Sequence, residues 1–174
     1  EDMDIHIPEN VLNPELLEYG TKQAEMTEFY ITDDKGVKTT AVIKGTEFTI
    51  HVKVAFHDRI VAPIFAFSFK NIKGTEITGT NSMIEKAFLE PVEAGVVKEV
   101  TFKQNMSLQG GEYLLSLGVT GYEGSEFQVY HRLYDVLNVT VVSDKDTVGF
   151  YDMNSKVEVK NAAKDKVIPY RQEA

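Results

Sequence analysis

Cysteine is absent from the 174 residues, which removes disulfide frameworks, thiolate metal sites and nucleophilic thiols, and permits a reducing compartment. Long apolar runs are missing as well. No stretch approaches the roughly 20 residues that a bilayer-spanning helix needs, and the opening Glu1-Asp2-Met3-Asp4 has neither the basic nor the hydrophobic region of an export signal. Positive charge is scarce: 18 Lys and Arg stand against 27 Asp and Glu, a formal net charge of -9. Such a surface repels phosphate backbones and anionic membranes, so nucleic acid is not an expected partner. The glycines are scattered rather than clustered before a Lys-Ser/Thr pair, which excludes a phosphate loop. No Gly-x-Ser-x-Gly elbow exists for a serine nucleophile. The four histidines, His6, His51, His57 and His131, include no pair at helical metal spacing, so we expect neither a metal nor another cofactor. Carboxylates are plentiful enough to make chance pairs, and none signals a glycosidase.

What is present is ordinary globular composition, 43% hydrophobic and 26% charged, in a length that suits one core. The chain begins at Glu1 rather than methionine, and we expect it to be a domain of a longer protein. Residues 1–20, with Pro8 and Pro14, keep no steady period and read as a linker or arm. From there the pattern is that of strands bounded by Gly, Asp and Asn. Residues 46–56 give the clearest one: Phe48, Ile50, Val52, Val54 and Phe56 alternate with Thr49, His51, Lys53 and Ala55, so one face is core and the other wet. Phe65, Phe67 and Phe69 repeat the theme over 64–69. Further strands are expected at 24–31, 37–43, 96–106, 112–119, 127–134 and 136–142, with a short helical turn over 81–89 ended by Pro91. The domain is read as 21–160, followed by a polar tail over 161–174. About eight strands at this spacing predict an all-β fold, an immunoglobulin-like or jelly-roll β-sandwich of antiparallel strands.

The order of particular residues adds to this. Ala24-Glu25-Met26 is followed by the turn Asp33-Asp34-Lys35-Gly36. Gly45-Thr46-Glu47-Phe48 then opens the long alternating strand, and Pro63, Gly74 and Gly79-Thr80-Asn81-Ser82 come next. Phe102, the Gly111-to-Gly118 strand and Tyr134-Asp135 complete the series. Over roughly 20–159 this order resembles the C-terminal domain of the ATP-binding subunit of O-antigen and related polysaccharide ABC transporters, the Wzt type. The resemblance implies a non-catalytic domain that recognises the finished end of a lipid-linked glycan. It also implies a cytoplasmic position peripheral to the inner membrane, with a nucleotide-binding domain and a membrane subunit as partners. Homodimerisation by exchange of a C-terminal strand, here 147–159, is implied too.

Sugars are polar at their edges and apolar on their faces, so a binding sheet needs small residues flanked by planar hydrogen-bonders and an aromatic. Opposite the core phenylalanines, Ala66 and Ser68 with Ser116 and Gly118 are expected to form a low floor. Tyr130 and Arg132 are expected to share a face of the next strand and to supply stacking and a fork of donors. His57 and Arg59, in a loop at one end of the sandwich, are further ligand candidates. Against glycan recognition stand two other readings: a structural or dimerisation sandwich whose outward faces serve protein contacts, and a glycoside hydrolase or esterase.

Overall fold

The computed structural model describes residues 17–163. Among these residues are nine strands: β1 (Leu17–Tyr19), β2 (Ala24–Thr32), β3 (Ala41–Ile43), β4 (Glu47–Phe56), β5 (Ile64–Asn71), β6 (Glu76–Asn81), β7 (Val97–Asn105), β8 (Gly111–Glu123) and β9 (Glu126–Val142). They form two facing sheets. The larger runs β1-β9-β8-β5-β6 with β3 added to β9, and the smaller runs β2-β4-β7. The expected all-β sandwich is the fold. All pairings are antiparallel except that of β3, which lies parallel to β9 over Thr140 to Val142. Because β8 pairs with one edge of β9 over almost its whole length, β1 and β3 share the other edge, one near its middle and one at its end.

The period-two pattern places the core where expected. Phe48, Ile50, Val52, Val54 and Phe56 from β4 are buried, facing Phe65, Phe67 and Phe69 of β5. Their rings meet edge to face, with Phe48 and Phe69 at 6.3 Å and Phe56 and Phe65 at 6.3 Å between centroids. Each such fully buried side chain contributes about 1.5–3 kcal/mol relative to exposure, which explains why β4 and β5 anchor the two layers.

Four expectations are corrected. Residues 17–19, read as linker, form β1 on the edge of the larger sheet. The expected strand 37–43 is a strand only at Ala41–Ile43, because Asp33 accepts hydrogen bonds from the backbone N–H of Lys35 and Val37 and holds that stretch as a turn. The helical turn expected over 81–89 shrinks to one turn, in which Glu85 N–H donates to the Asn81 carbonyl and no helix follows, pinned by Phe65 N–H donating to the buried Ser82 hydroxyl. Finally, 127–134 and 136–142 are one 17-residue strand, with Asp135 at φ 55° as an irregularity inside it rather than a break. After β9 the chain crosses the body, pairing Tyr151 with Leu108, and continues as an arm in which Val148, Val157 and Val159 are exposed and no strand is formed.

Candidate functional site

The register of the larger sheet aligns Asn81, Ala66, Gly118, Arg132 and Tyr19 in one row across five strands, a distance of roughly 19 Å at the usual strand spacing. The adjacent row contains Gly79, Ser68 and Ser116. Residues paired this way point to the same side, and this side faces away from the phenylalanine core. The expected floor of small residues is therefore present, extended by Gly79.

Arg132 lies across it. A Cβ added to Gly118 would sit 3.6 Å from Arg132 Nε, so the guanidinium stem rests on the bare glycine. Its Nη1 donates to the Tyr19 hydroxyl at 3.0 Å and to the Tyr134 hydroxyl at 3.4 Å. The two rings are 5.8 Å apart and the guanidinium carbon lies 5.8 Å and 5.9 Å from their centroids. Burial works against the guanidinium charge, but the phenol oxygens outweigh it and hold Arg132 above its ordinary value. Tyr19 and Arg132 lower the Tyr134 hydroxyl, whereas its bond to Tyr134 raises Tyr19. The result is a cation beside a tilted pair of tyrosine rings and bonded to both hydroxyls, next to a trough floored by Ala66 and Ser68. Among the described residues Nη2 of Arg132 has no hydrogen-bond partner, so one tine of the fork points outward as a donor.

A family model described as the Wzt C-terminal domain matches residues 16–153. The chain belongs to that family. It is a family of ABC-transporter domains. A crystal structure of the C-terminal domain of Wzt superimposes with a TM-score of 0.79 at 24% identity, covering 86% of this chain and 91% of that one, which shows the shared fold. A CARDB domain from Pyrococcus furiosus aligns at TM-score 0.38 and 17% identity over 68% of this chain and 95% of its own. A β-glucosidase from Listeria innocua aligns at 0.37 and 16% identity over 67% of this chain and 16% of its own. At such scores neither carries an argument. No curated protein sequence matches.

Within this Wzt C-terminal domain the residues singled out from the sequence fall in three places. Arg132 and Ser68 line the trough. Ser116 sits in its floor but is buried, its hydroxyl accepting from the Asp135 N–H; it satisfies the irregularity in β9 rather than facing outward. Tyr130 does not share a face with Arg132. Val119 pairs with His131 and Thr120 with Val129, so Tyr130 is the extra residue of a bulge, and its ring is turned into the core against Gly121. His57 and Arg59 face Glu25 at 3.9 Å and Glu93 at 2.8 Å, not the Arg132 group. The aromatics that do stand beside Arg132, Tyr19 and Tyr134, were missed. Tyr134 is two residues from Arg132 and period two alone would have found it; Tyr19 lies in a segment with no strand pattern.

Two other regions differ in kind. On the outer face of the smaller sheet, Tyr30 is stacked on His51 at 4.5 Å and covered by Lys38 at 4.0 Å, and Glu28 faces Lys53 and Lys38, so this face is filled by its own side chains. Between the edges of β6 and β7 lies an open cleft of about 1200 Å³ whose walls are the half-buried Ile77, Val100 and Phe102, with the buried Phe67, Phe69 and Met106 at its base. Among the described residues no group of His, Asp or Glu has the arrangement of a metal site, and no helix is long and apolar enough to cross a membrane.

Proposed function

We propose that this domain recognises the terminal end of a lipid-linked polysaccharide, an O-antigen or related cell-surface glycan, without altering it, and commits it to export by an ABC transporter. The observation that carries this reading is Arg132 held between Tyr19 and Tyr134 beside the Ala66, Ser68 and Gly118 floor. Small residues admit a sugar ring, the phenol rings offer its apolar face a surface, and the guanidinium gives planar, paired donors to hydroxyl or anionic oxygens. Membership of the transporter family supports a cytoplasmic position beside the inner membrane, with a nucleotide-binding domain and a membrane subunit as partners.

We propose further that the domain works as a homodimer in which the C-terminal arm of one copy lies on the other. The outer edge of β7 is unpaired among the described residues, the cleft beside it is apolar, and Val157 and Val159 at period two are left exposed on the arm. A strand added there would satisfy the edge and cover the cleft together.

The test is a titration of the purified domain with oligosaccharides released from the surface polysaccharide of its source strain, with the ligand's mass measured before and after. Saturable binding with unchanged mass supports recognition. A folded dimer that binds none of them leaves a structural dimerisation module as the function, and a changed ligand mass makes it an enzyme.

A further inference from the structure

Strand β1 is the first strand among the described residues, and it has little of its own to hold it. All three residues are exposed, Leu17 at 60%, so hydrophobic burial cannot secure it, and a pairing this short is marginal. What fixes it is polar. Glu18 Oε1 lies 2.7 Å from Nε2 of the buried His131 and 3.1 Å from Lys22 Nζ. The His131 ring is set from the other sheet, because the Met26 N–H donates to Nδ1 at 2.8 Å. That donor makes Nδ1 the acceptor and puts the ring proton on Nε2, aimed at the Glu18 carboxylate. The chain is then drawn against β9 at Gly20, whose missing Cβ would stand 2.4 Å from the Tyr130 carbonyl oxygen at φ 130°, and Lys22 N–H donates to that same oxygen.

Successive strand residues point to opposite faces, so Glu18 reaches inward to His131 while Tyr19 stands outward beside Arg132. Pinning one places the other. We propose that β1 is a ligand-coupled tether: the Glu18–His131 latch positions Tyr19 in the Arg132 group, and occupation of that group in turn holds the strand on β9. This rests on the glycan-recognition reading above. The reciprocity is required thermodynamically. If a seated β1 raises affinity for a ligand by some factor, the ligand stabilises the seated strand by the same factor. Glu18 and His131 are positioning residues here and touch no ligand.

Amide hydrogen exchange on the full chain tests it, with and without oligosaccharides released from the source strain's surface polysaccharide. Without ligand, Glu18→Ala should speed exchange at residues 18–20 about tenfold and leave β4 and β8 unchanged, while Glu18→Gln, which keeps an oxygen acceptor for Nε2–H, restores part of the protection. With ligand, wild-type residues 18–20 should become more protected. Affinity should fall about fivefold in Glu18→Ala, the lower end of ordinary coupling, yet show no further fall when Glu18→Ala is added to Tyr19→Ala. Unchanged exchange in Glu18→Ala without ligand overturns the latch itself. A full additional loss in the Tyr19→Ala background, or no ligand protection of residues 18–20, overturns the coupling. Should wild type bind no oligosaccharide, the recognition reading and the coupling fall together, while the ligand-free exchange still decides whether the latch exists.

Discussion

The trough on the larger sheet and the cleft between β6 and β7 are both concave, but they are unfinished in different ways. Around Arg132 the backbone is paired on both sides and the side chains bond one another, with the short strand β1 the one element left for a ligand to hold. The cleft has the opposite character: Ile77, Val100 and Phe102 along it are only part-covered, and among the described residues the outer edge of β7 keeps a row of unpaired backbone groups. A polar ligand suits the first, since the guanidinium and the two phenols offer it donors and ring faces. An apolar strand suits the second, since burying its valines there gains about 25 cal/mol for each Å² removed from water. If recognition and assembly use these two surfaces as proposed, each should be open to disabling without the other.

The largest expected effect is on assembly. Replacing Val157 and Val159 together by Asp should turn a dimer into a monomer in sedimentation or light scattering, with glycan affinity unchanged within about threefold if each site is built within one copy. Next is Arg132→Ala, which should cost at least tenfold in affinity by calorimetry, because a hydrogen bond to a charged group is worth about 1.5–3 kcal/mol, and should leave the dimer intact. Gly118→Ala is gentler and sharper. The added methyl meets Arg132 Nε at ordinary contact distance, so folding should survive while affinity falls severalfold as the floor rises. Gly79→Ala makes a useful contrast, since its Cβ would lie 2.6 Å from the Phe67 carbonyl oxygen, and the melting temperature should drop instead.

The smallest effect concerns the root of the arm. Asp152 accepts from the Asn154 N–H and lies 3.0 Å from both Lys145 and Lys44. These partners, the backbone bond first, hold its carboxyl far below the ordinary carboxylate range. A depressed folded value means that its stabilisation is complete above the unfolded value, near pH 4, and is lost as pH falls from there toward the lowered one. Asp152→Asn should therefore lower the melting temperature slightly at pH 7 and converge on wild type at strongly acid pH. Equal differences at both pH values would contradict that role.

How much of this was legible in the sequence depends on whether period two held. In β4 and β5 it held except at Ala55 and Ile64, which were expected on the wet face and are buried, and the buried phenylalanines and the small residues opposite them followed directly. In β9 it was broken twice. The bulge at Tyr130 turned an expected ligand residue into the core, and the left-handed Asp135 made one strand look like two. Such bulges depend on the partner strand's register, which a local pattern does not contain. β1 was invisible because its three residues carry no alternation and owe their place to His131, 113 residues away. The Arg132 group was consequently half-read: its cation and floor were found, its tyrosines were not.

The most direct test of the division between the two surfaces is an amide chemical-shift map of the isotope-labelled domain titrated with the released oligosaccharides. The account predicts that Tyr19, Ala66, Ser68, Gly118 and Arg132 shift together and saturably while Thr78, Val100 and Phe102 along the cleft stay still. Shifts confined to the cleft, with the Arg132 row silent, would contradict it.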